Sequence, residues 1–381
     1  MPPWCAAALS RHPVPVEALG EVAGDLLERF DGERPDLVVV FASVHHHGAF
    51  EDVTRGLRRL LEPEVLVGTV AAGIAGGTRE IEEEPALSVF AATLGEGVSR
   101  GFVLDADVAD GEVTISGWPR DLAPAGTLLV LADPFSFPVA EFLRVCDREG
   151  ITVAGGLASA AVRPGGNLLA LDDRIVSAGA VAVHLDPTLD VQTVVSQGCR
   201  PLGAPLTITA TDGNLVATLG GQPALDRLRE VVVSASETDR ELMRAGVHVG
   251  VVVDEHRSEF GRGDFLVRNV LGADRERGAI AIGEQVDIGQ TVQFHVRDAA
   301  SADDDLRALL GGRHADGALL FTCNGRGTRF FGVADHDTGV VDELLGPVPL
   351  AGMFCAGEIG PVGARSFVHG FTASVVLFGA R

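Results

Sequence analysis

The chain has 381 residues, of which 46% are hydrophobic, and its formal net charge is −23. The hydrophobic content suffices for a large core and is unlike that of a disordered chain. The negative charge argues against nucleic acid or an anionic membrane as a partner, because phosphate groups bind to basic surfaces. The sequence contains no lysine. This excludes Schiff-base lysine chemistry and a P-loop.

The cysteines are odd in number and far apart, and none forms a C-x-x-C motif. They are Cys5, Cys146, Cys199, Cys323 and Cys355. This pattern is typical of a reducing compartment, so we expect a cytoplasmic protein without a disulfide framework or a zinc ribbon. The N-terminus lacks the basic start and long apolar run of a signal peptide. No stretch of about 18 apolar residues exists, so we expect no membrane insertion. No motif indicates a cofactor.

Amphipathic segments predict helices in this chain, and apolar runs that end at glycine or polar turns predict strands. The predicted helices are Val16–Arg29, Phe50–Leu61, Val139–Arg148, Gln222–Val233, Glu237–Arg244 and a segment from Ser301 to Leu310. The predicted strands are Asp36–Ala42, Val65–Ala71, Leu87–Leu94, Thr127–Ala132, Ile151–Ala154, Ala180–His184, Val191–Ser196, Leu206–Ala210, Leu215–Leu219, Val247–Val253, Thr291–Val296, Ala318–Phe321 and Pro349–Cys355. Asp212-Gly213 predicts a hairpin turn, and Ser301 is the predicted cap of its helix. The alternation indicates a mixed α/β fold.

Two glycine-rich turns near the C-terminus follow neighbouring apolar runs. The first turn spans Thr322–Gly327 and the second spans Ala356–Gly360. Glycine lets successive backbone N–H groups point into one concavity, which suits an anion. Arg326 adds a planar fork of donors in the first turn, and Glu358 supplies the opposite charge in the second. Adjacent strands would bring both charges to one small zwitterion, such as an amino acid.

The two halves of the chain show a similar pattern. LVVVFAS before a polar turn resembles ALLFTCN before a polar turn, and Gly68–Gly73 resembles Gly352–Gly357. We interpret this as a possible internal duplication that gives two similar domains, each a mixed β-sheet with covering helices. The alternative is two unrelated strand–turn units. Turn-forming residues at Gly198–Gly203 mark the division of the chain.

The motifs CNGRG, FFG, PLAG and GEIGPVG, in this order, resemble the C-terminal part of the FIST family. DLVVVFAS and Arg79-Glu80 resemble its N-terminal part. The resemblance implies an extension with a helix at 1–35, a FIST N-terminal domain at 36–200 and a FIST C-terminal domain at 201–381. It also implies a sensory role in signal transduction through small-ligand binding, amino acids being the proposed class, rather than catalysis. The output would pass to a separate signalling protein, and the oligomeric state is left open.

Two turns and one dipeptide supply the candidate ligand-binding residues. They are Cys323, Asn324, Gly325, Arg326, Gly327, Gly357, Glu358, Gly360, Arg79 and Glu80. Each has a structural alternative. Arg326 would only pair with an acidic surface, Glu358 would only cap the next segment, and Arg79-Glu80 would only form a salt bridge.

Four other functions are alternatives to ligand sensing. A cysteine-dependent enzyme would use Cys323 or Cys355 with His369, although no catalytic-cysteine signature surrounds either thiol. The two cysteines would otherwise be a redox-sensitive pair. On a strand, His45 and His47 could share a metal, although no further ligand lies at a recognisable spacing. A turn rich in polar residues is the favoured interpretation of this segment. A non-binding interaction module is the remaining possibility.

Overall fold

The computed structural model describes residues 4–95, 100–109, 112–119, 122, 126–257 and 259–380. Met1–Pro3 and Arg381, the termini of the predicted domains, lie outside the described residues. The fold is mixed α/β, as predicted. The chain forms two compact units. The first comprises Met1–Val195, Leu306–Val368 and Thr372–Arg381, and the second comprises Ser196–Asp305 and His369–Phe371.

The first unit contains one arrangement of strands and helices in three successive copies. The first copy comprises β1 (Trp4–Ser10), α1 (Pro15–Phe30), β2 (Leu37–Ser43), α2 (Phe50–Leu61), β3 (Val65–Ala71), β4 (Ile74–Gly76), β5 (Arg79–Ile81) and β6 (Leu87–Thr93). The second comprises β7 (Arg100–Ala109), β8 (Glu112–Ser116), β9 (Thr127–Ala132), α3 (Val139–Arg148), β10 (Thr152–Leu157), β11 (Leu169–Leu171), β12 (Arg174–Val176) and β13 (Ala180–Leu185).

The third copy begins with β14 (Val191–Ser196), and the second unit follows it in the chain. That unit contains β15 (Cys199–Asp212), β16 (Leu215–Leu219), β17 (Gln222–Pro223), α4 (Ala224–Ser234), α5 (Glu237–Ala245), β18 (His248–Val252), β19 (Phe265–Asp274), β20 (Ala279–Ile282) and β21 (Thr291–Arg297). The third copy resumes with α6 (Ala299–Leu310), β22 (Gly317–Cys323), α7 (Thr328–Phe331), α8 (His336–Leu345), β23 (Leu350–Cys355), β24 (Glu358–Val362), β25 (Arg365–His369) and β26 (Ala373–Phe378).

Each copy contains two parallel strands joined through helical structure, together with an antiparallel strand beside the first of them. The parallel pairs are β2–β3, β9–β10 and β22–β23. The antiparallel neighbours are β6, β13 and β26. Parallel neighbours require a crossover connection, which helical segments provide here. In the sequence these strands are continuous apolar runs, because both of their faces are buried.

A short hairpin completes the sheet of another copy in every case. The hairpin β4–β5 of the first copy pairs with β23, β11–β12 of the second pairs with β3, and β24–β25 of the third pairs with β10. The exchange is therefore cyclic. The similarity between the first and third copies was visible in the sequence. The second copy was not recognised, because Leu157-Ala158-Ser159 replaces the glycine turn.

The inner faces of the three sheets share one core. Phe41 and Phe321 come from different copies and meet edge-to-face, with ring centroids 5.8 Å apart. Phe90 and Phe378, also from different copies, have tilted rings with centroids 5.1 Å apart. The helices α1 and α2, α3, and α6 with α8 cover the outer faces of the three sheets in turn. The strand ends that carry the candidate site thus belong to a densely packed framework.

The second unit contains one sheet with the strand order β15-β21-β18-β19-β20-β16-β17. The predicted hairpin is present, since β15 and β16 are antiparallel and meet at Asp212-Gly213. Gly213 has a φ of 61°, a conformation that glycine adopts at no steric cost. The core of this sheet is formed by side chains such as Val251, Ile280 and Phe294.

One local prediction differs from the structure. The helix α6 begins at Ala299, and Asp298 rather than Ser301 caps it, because Asp298 Oδ1 accepts the N–H groups of Ala300 at 3.2 Å and Ser301 at 3.4 Å. Residues Val44–Ala49, which include the three histidines and follow the predicted strand, form a 3₁₀ helix. Among the described helices, none has the length and apolar character needed to cross a membrane.

Candidate functional site

The two predicted turns lie side by side at one edge of a sheet. Strands β22 and β23 are parallel, and their last residues, Cys323 and Cys355, are register partners. The first turn continues from Cys323 and the second from Cys355. The carboxyl ends of neighbouring parallel strands are a common position for ligand sites in α/β proteins.

Arg326 is completely buried in the first turn and is bound by Asp337 of α8. The guanidinium donates from Nε to Asp337 Oδ2 at 2.9 Å and from Nη2 to Oδ1 at 2.8 Å. Thr322 Oγ1 and His336 Nδ1 also contact this carboxylate, at 2.7 and 3.0 Å. Burial alone would raise the pKa of Asp337, but Arg326 and these hydrogen bonds hold it well below its usual range. The pair is a two-point ion pair that fixes the guanidinium plane.

One guanidinium nitrogen remains after this pairing. Arg326 Nη1 is buried and has no hydrogen-bond partner. The Phe331 ring lies 5.2 Å from the guanidinium carbon, at a cation–π distance. Because Asp337 binds Nε and Nη2, a ligand would meet only the Nη1 nitrogen of Arg326 rather than the free donor fork that we predicted. Asp337 was not among the residues identified from the sequence.

Glu358 is the second buried charged group at this edge. Its Oε2 accepts hydrogen bonds from Thr372 N at 3.1 Å and from Thr372 Oγ1 at 2.8 Å, whereas Oε1 is buried with no hydrogen-bond partner. Burial raises the pKa of Glu358 to about 8, although the Thr372 hydrogen bonds and the nearby Arg326 charge act in the opposite direction. The charge of Arg326 in the first turn thus acts on Glu358 in the second.

The two strand-terminal cysteines complete a group that we call the strand-edge cluster: Thr322, Cys323, Arg326, Asp337, Cys355, Glu358 and Thr372. The Cys323 thiol is partly exposed, receives the Gly325 N–H at 3.5 Å and contributes to lowering the pKa of Glu358. Cys355 is fully buried, and burial, Glu358 and Cys323 raise its thiol pKa well above the usual value. Glu358 thus interacts with both cysteines.

The backbone N–H groups of the first turn do not converge on an open concavity. Asn324 N donates to Cys355 O at 3.0 Å, and Arg326 N donates to Cys323 O at 2.8 Å. Thr328 N donates to Glu82 Oε1 at 2.7 Å. A Cβ atom on Gly327 would overlap the Glu82 carboxylate. Glycine is therefore required here so that the protein's own carboxylate can reach the turn.

Arg79 and Glu80 lie at a surface cleft that adjoins the first turn. Glu80 Oε1 accepts Thr338 N at 2.9 Å, and Arg79 Nε lies 3.3 Å from Asp335 Oδ2. Burial and the Asp337 charge raise the pKa of Glu80 to about 8. The cleft has a volume of about 460 Å³ and is lined by Arg11, Arg79, Glu80, Ile81, Glu82, Glu83, Glu84, Thr328 and Arg329. Neither Arg326 nor Glu358 lines it.

The glycines of the second turn allow close backbone packing. Gly357 O accepts the Leu157 N–H at 2.8 Å. A Cβ atom on Gly360 would collide with Val195 and would come within 2.8 Å of Ser374 Oγ. No group of three or more His, Cys, Asp or Glu side chains within the described ranges is arranged to hold a metal ion. The predicted ligand-binding residues therefore divide between the strand-edge cluster, the surface cleft and packing positions.

Comparison with known proteins gives the same family along nearly the whole chain. The FIST N domain matches residues 36–222, and the FIST C domain matches residues 224–361. An uncharacterized protein of Mycobacterium bovis, Mb0898c, is 45% identical over 372 residues, which is 95% of each chain. The uncharacterized protein Rv0628c of Mycobacterium tuberculosis is 44% identical over 370 residues, covering 95% of this chain and 96% of that protein. The chain belongs to the FIST family, whose domains are associated with sensory and signalling functions.

Proposed function

We propose that this protein is a cytoplasmic sensory protein that binds an amino acid or a similar small carboxylate at the strand-edge cluster. The observation that supports this is the pair of buried atoms with no hydrogen-bond partner, Arg326 Nη1 and Glu358 Oε1. Buried polar atoms are rarely left unpaired, since each costs about 1–3 kcal/mol. A ligand with an acceptor at one end and a donor at the other would satisfy both atoms.

Asp337 prepares Arg326 for this role. The two-point ion pair holds the guanidinium in place and leaves Nη1 as the remaining donor. A ligand carboxylate at Nη1 would gain a charge-assisted hydrogen bond of about 1.5–3 kcal/mol. The partly exposed Cys323 is the member of this cluster that connects it with the surface.

Glu358 would accept the ammonium group of an amino acid. Burial raises the pKa of its carboxyl to about 8 in the absence of a ligand, so it is mostly protonated at neutral pH. A bound ammonium would favour the carboxylate, so a proton would leave on binding. Calorimetry in two buffers with different ionisation enthalpies measures this release. Binding without proton release at pH 7 would argue against an ammonium group at Glu358.

Ligand identity is best sought in two steps. Native mass spectrometry of freshly purified protein would detect a retained metabolite, and a thermal-shift screen of amino acids and small carboxylates would follow. We expect Glu358→Gln to abolish the ligand-induced shift, while Glu343→Gln, which changes a side chain that is 61% exposed, leaves it unchanged. A full shift in Glu358→Gln would reject the cluster as the site.

A variant in the surface cleft tests whether the ligand binds there instead of at the strand-edge cluster. If Glu80→Gln loses the shift while Glu358→Gln keeps it, the ligand binds in the cleft lined by Glu80. If no compound stabilises the protein and no metabolite is retained, the chain is an interaction module without a small ligand.

A sensory role also requires an output, which we assign to a separate signalling protein. The support for this assignment is that FIST domains are associated with sensory and signalling functions. Crosslinking in cells with and without the identified ligand would test this. A partner whose crosslinking yield is unaffected by the ligand would argue against ligand-dependent signalling through that partner.

A further inference from the structure

Two thiols occupy equivalent positions at the ends of neighbouring strands. Cys323 and Cys355 are register partners in the parallel pair β22–β23. Neighbouring strands lie about 4.8 Å apart, and register partners project to the same face of a sheet. The Cα atoms of disulfide-bonded cysteines are usually about 4.4–6.8 Å apart. The backbone spacing of the two positions therefore suits a disulfide.

The two thiols differ in accessibility in a way that gives each a separate role. Cys323 is partly exposed, whereas Cys355 is fully buried. An oxidant from solvent would reach Cys323 first, and Cys355 would be the second thiol. Susceptibility of a thiol to oxidation depends on exposure and on thiolate character.

Two donor groups and a carboxyl group interact with Cys323. The Gly325 N–H points to Sγ at 3.5 Å, and the Arg326 guanidinium interacts favourably with the thiolate charge. The Glu358 carboxyl also interacts with the thiol. The guanidinium and the N–H group would stabilise the sulfur anion that attacks a peroxide.

We propose that Cys323 is oxidised by hydroperoxides and then forms a reversible disulfide with Cys355, which makes this strand edge a site of redox modification. The inference does not depend on the identity of any ligand. It also differs from the enzyme alternative in the sequence analysis, because a carboxyl group and a second thiol replace the predicted histidine.

The reaction has two balanced steps. The Cys323 sulfur attacks one peroxide oxygen, so an S–O bond forms and the O–O bond breaks. The departing oxygen takes up the thiol proton and leaves as water or an alcohol. The Cys355 sulfur then attacks Cys323, so an S–S bond forms and the S–O bond breaks, and the hydroxyl group leaves with the Cys355 proton as water. The two sulfurs lose two electrons in total, and the peroxide gains them.

The test uses the full-length reduced protein and hydrogen peroxide. Free thiols are alkylated at each time point, and the digested protein is analysed by mass spectrometry. We expect free thiols to fall from the five of the reduced chain by two, with one peptide pair linking Cys323 to Cys355. A dithiol should restore both thiols.

Four variants separate the roles. Cys355→Ser should stop at a sulfenic acid on Cys323, detected as a dimedone adduct, and Cys323→Ser should leave Cys355 reduced. Cys146→Ser changes a buried thiol of α3 and should keep the disulfide. Glu358→Gln should shift the pH profile of Cys323 alkylation, because an amide replaces a carboxyl that titrates at about pH 8, a change that a purely packing role would not cause.

Two results would overturn the proposal. One is oxidation of Cys323 no faster than that of the buried Cys146. The other is a stable sulfenic acid on Cys323 in the wild-type chain while Cys355 keeps its free thiol.

Discussion

Arg326 and Asp337 form a two-point ion pair with side-chain exposures of 0% and 1%. A surface ion pair contributes about 0–1 kcal/mol, but removing one partner of a buried pair costs about 3–5 kcal/mol because the other charge remains without a counter-charge. Arg326, which was assigned to ligand binding from the sequence, thus also stabilises the fold. Loss of ligand binding in an Arg326 variant must therefore be interpreted together with its loss of stability.

Arg326→Ala should lower the free energy of unfolding by about 3–5 kcal/mol, because Asp337 would keep a buried, unpaired carboxylate. Urea denaturation measures this change. Arg329→Ala is the matched control at an exposed arginine of the same segment, and it should change stability by less than about 0.5 kcal/mol. Equal stabilities of the two variants would contradict the buried pair. The double variant Arg326→Leu with Asp337→Leu should be less destabilising than Arg326→Ala, because it leaves no buried charge unpaired.

The buried carboxyls predict a particular dependence of stability on pH. The pKa values of Glu358 and Glu80 are about 8 in the folded protein, against a usual value of 4.5. The folded state therefore binds more protons than the unfolded state between these values. The stabilisation is complete below about pH 4.5 and is lost as the pH rises through about 8, with a slope of at most about 1.4 kcal/mol per pH unit for each group.

Glu358→Gln should flatten this decline, since an amide does not titrate in this range. Urea denaturation at a series of pH values from 5 to about 8.5 measures the slope. Glu343→Gln, at an exposed position, should keep the wild-type slope. If stability rose with pH in the wild type over this interval and Glu358→Gln had no effect on the slope, the protonated carboxyl would be excluded.

Gly327→Ala should destabilise the protein by displacing Glu82 from the first turn. The added Cβ would overlap the carboxylate, so the hydrogen bond to Thr328 N would be lost at a cost of about 1 kcal/mol or more. A double-mutant cycle with Glu82→Ala provides the measurement. The two effects should be clearly less than additive, because Glu82→Ala removes both the hydrogen bond and the obstacle. Additive effects would show that the destabilisation by Gly327→Ala does not come from displacement of Glu82.

Gly156→Ala should also be destabilising, for a different reason. Its Cβ would lie 2.5 Å from Cys355 Sγ and 3.2 Å from both Met353 Cε and Phe321 Cδ1, all within the shared core. Overpacking of this kind costs about 1–3 kcal/mol. Adding Cys355→Ala should recover part of the loss by removing the nearest atom. As a control, Gly20→Ala meets nothing within 4 Å on an exposed face of α1 and should stabilise the helix by up to about 1 kcal/mol. Thermal unfolding compares the three variants.

The strands of the first unit were largely predictable because their burial leaves a simple pattern. β2, β3, β22 and β23 are buried along their lengths and appear as uninterrupted apolar runs. The Asp212-Gly213 hairpin was predictable from turn chemistry. The sheets that the short hairpins join were not predictable. A glycine turn followed by an extended segment shows that the chain reverses, but it does not show which sheet the segment joins.

The strand-edge cluster was predictable only in part. Its glycine turns, Arg326 and Glu358 stand out in the sequence, and the adjacency of β22 and β23 brings them together. Asp337 has no such signal, because it is one of 53 acidic residues and lies near the start of a helix, where a carboxylate is ordinarily a favourable terminal residue. Its partner could be identified only from the packing of α8 against the turn.

The cyclic exchange of hairpins has a consequence for how the chain is made. A ribosome releases Ile74–Gly76 early, yet the strand that this segment pairs with, β23, emerges only after the second copy and β15–β21. Until then the nascent chain must carry an unpaired strand edge, and such edges are prone to aggregate. A product truncated before β23 would lack this sheet neighbour however well its own sequence were suited to folding. Synthesis of β23, rather than growth of the N-terminal part, is therefore the event that lets the first hairpin join its sheet.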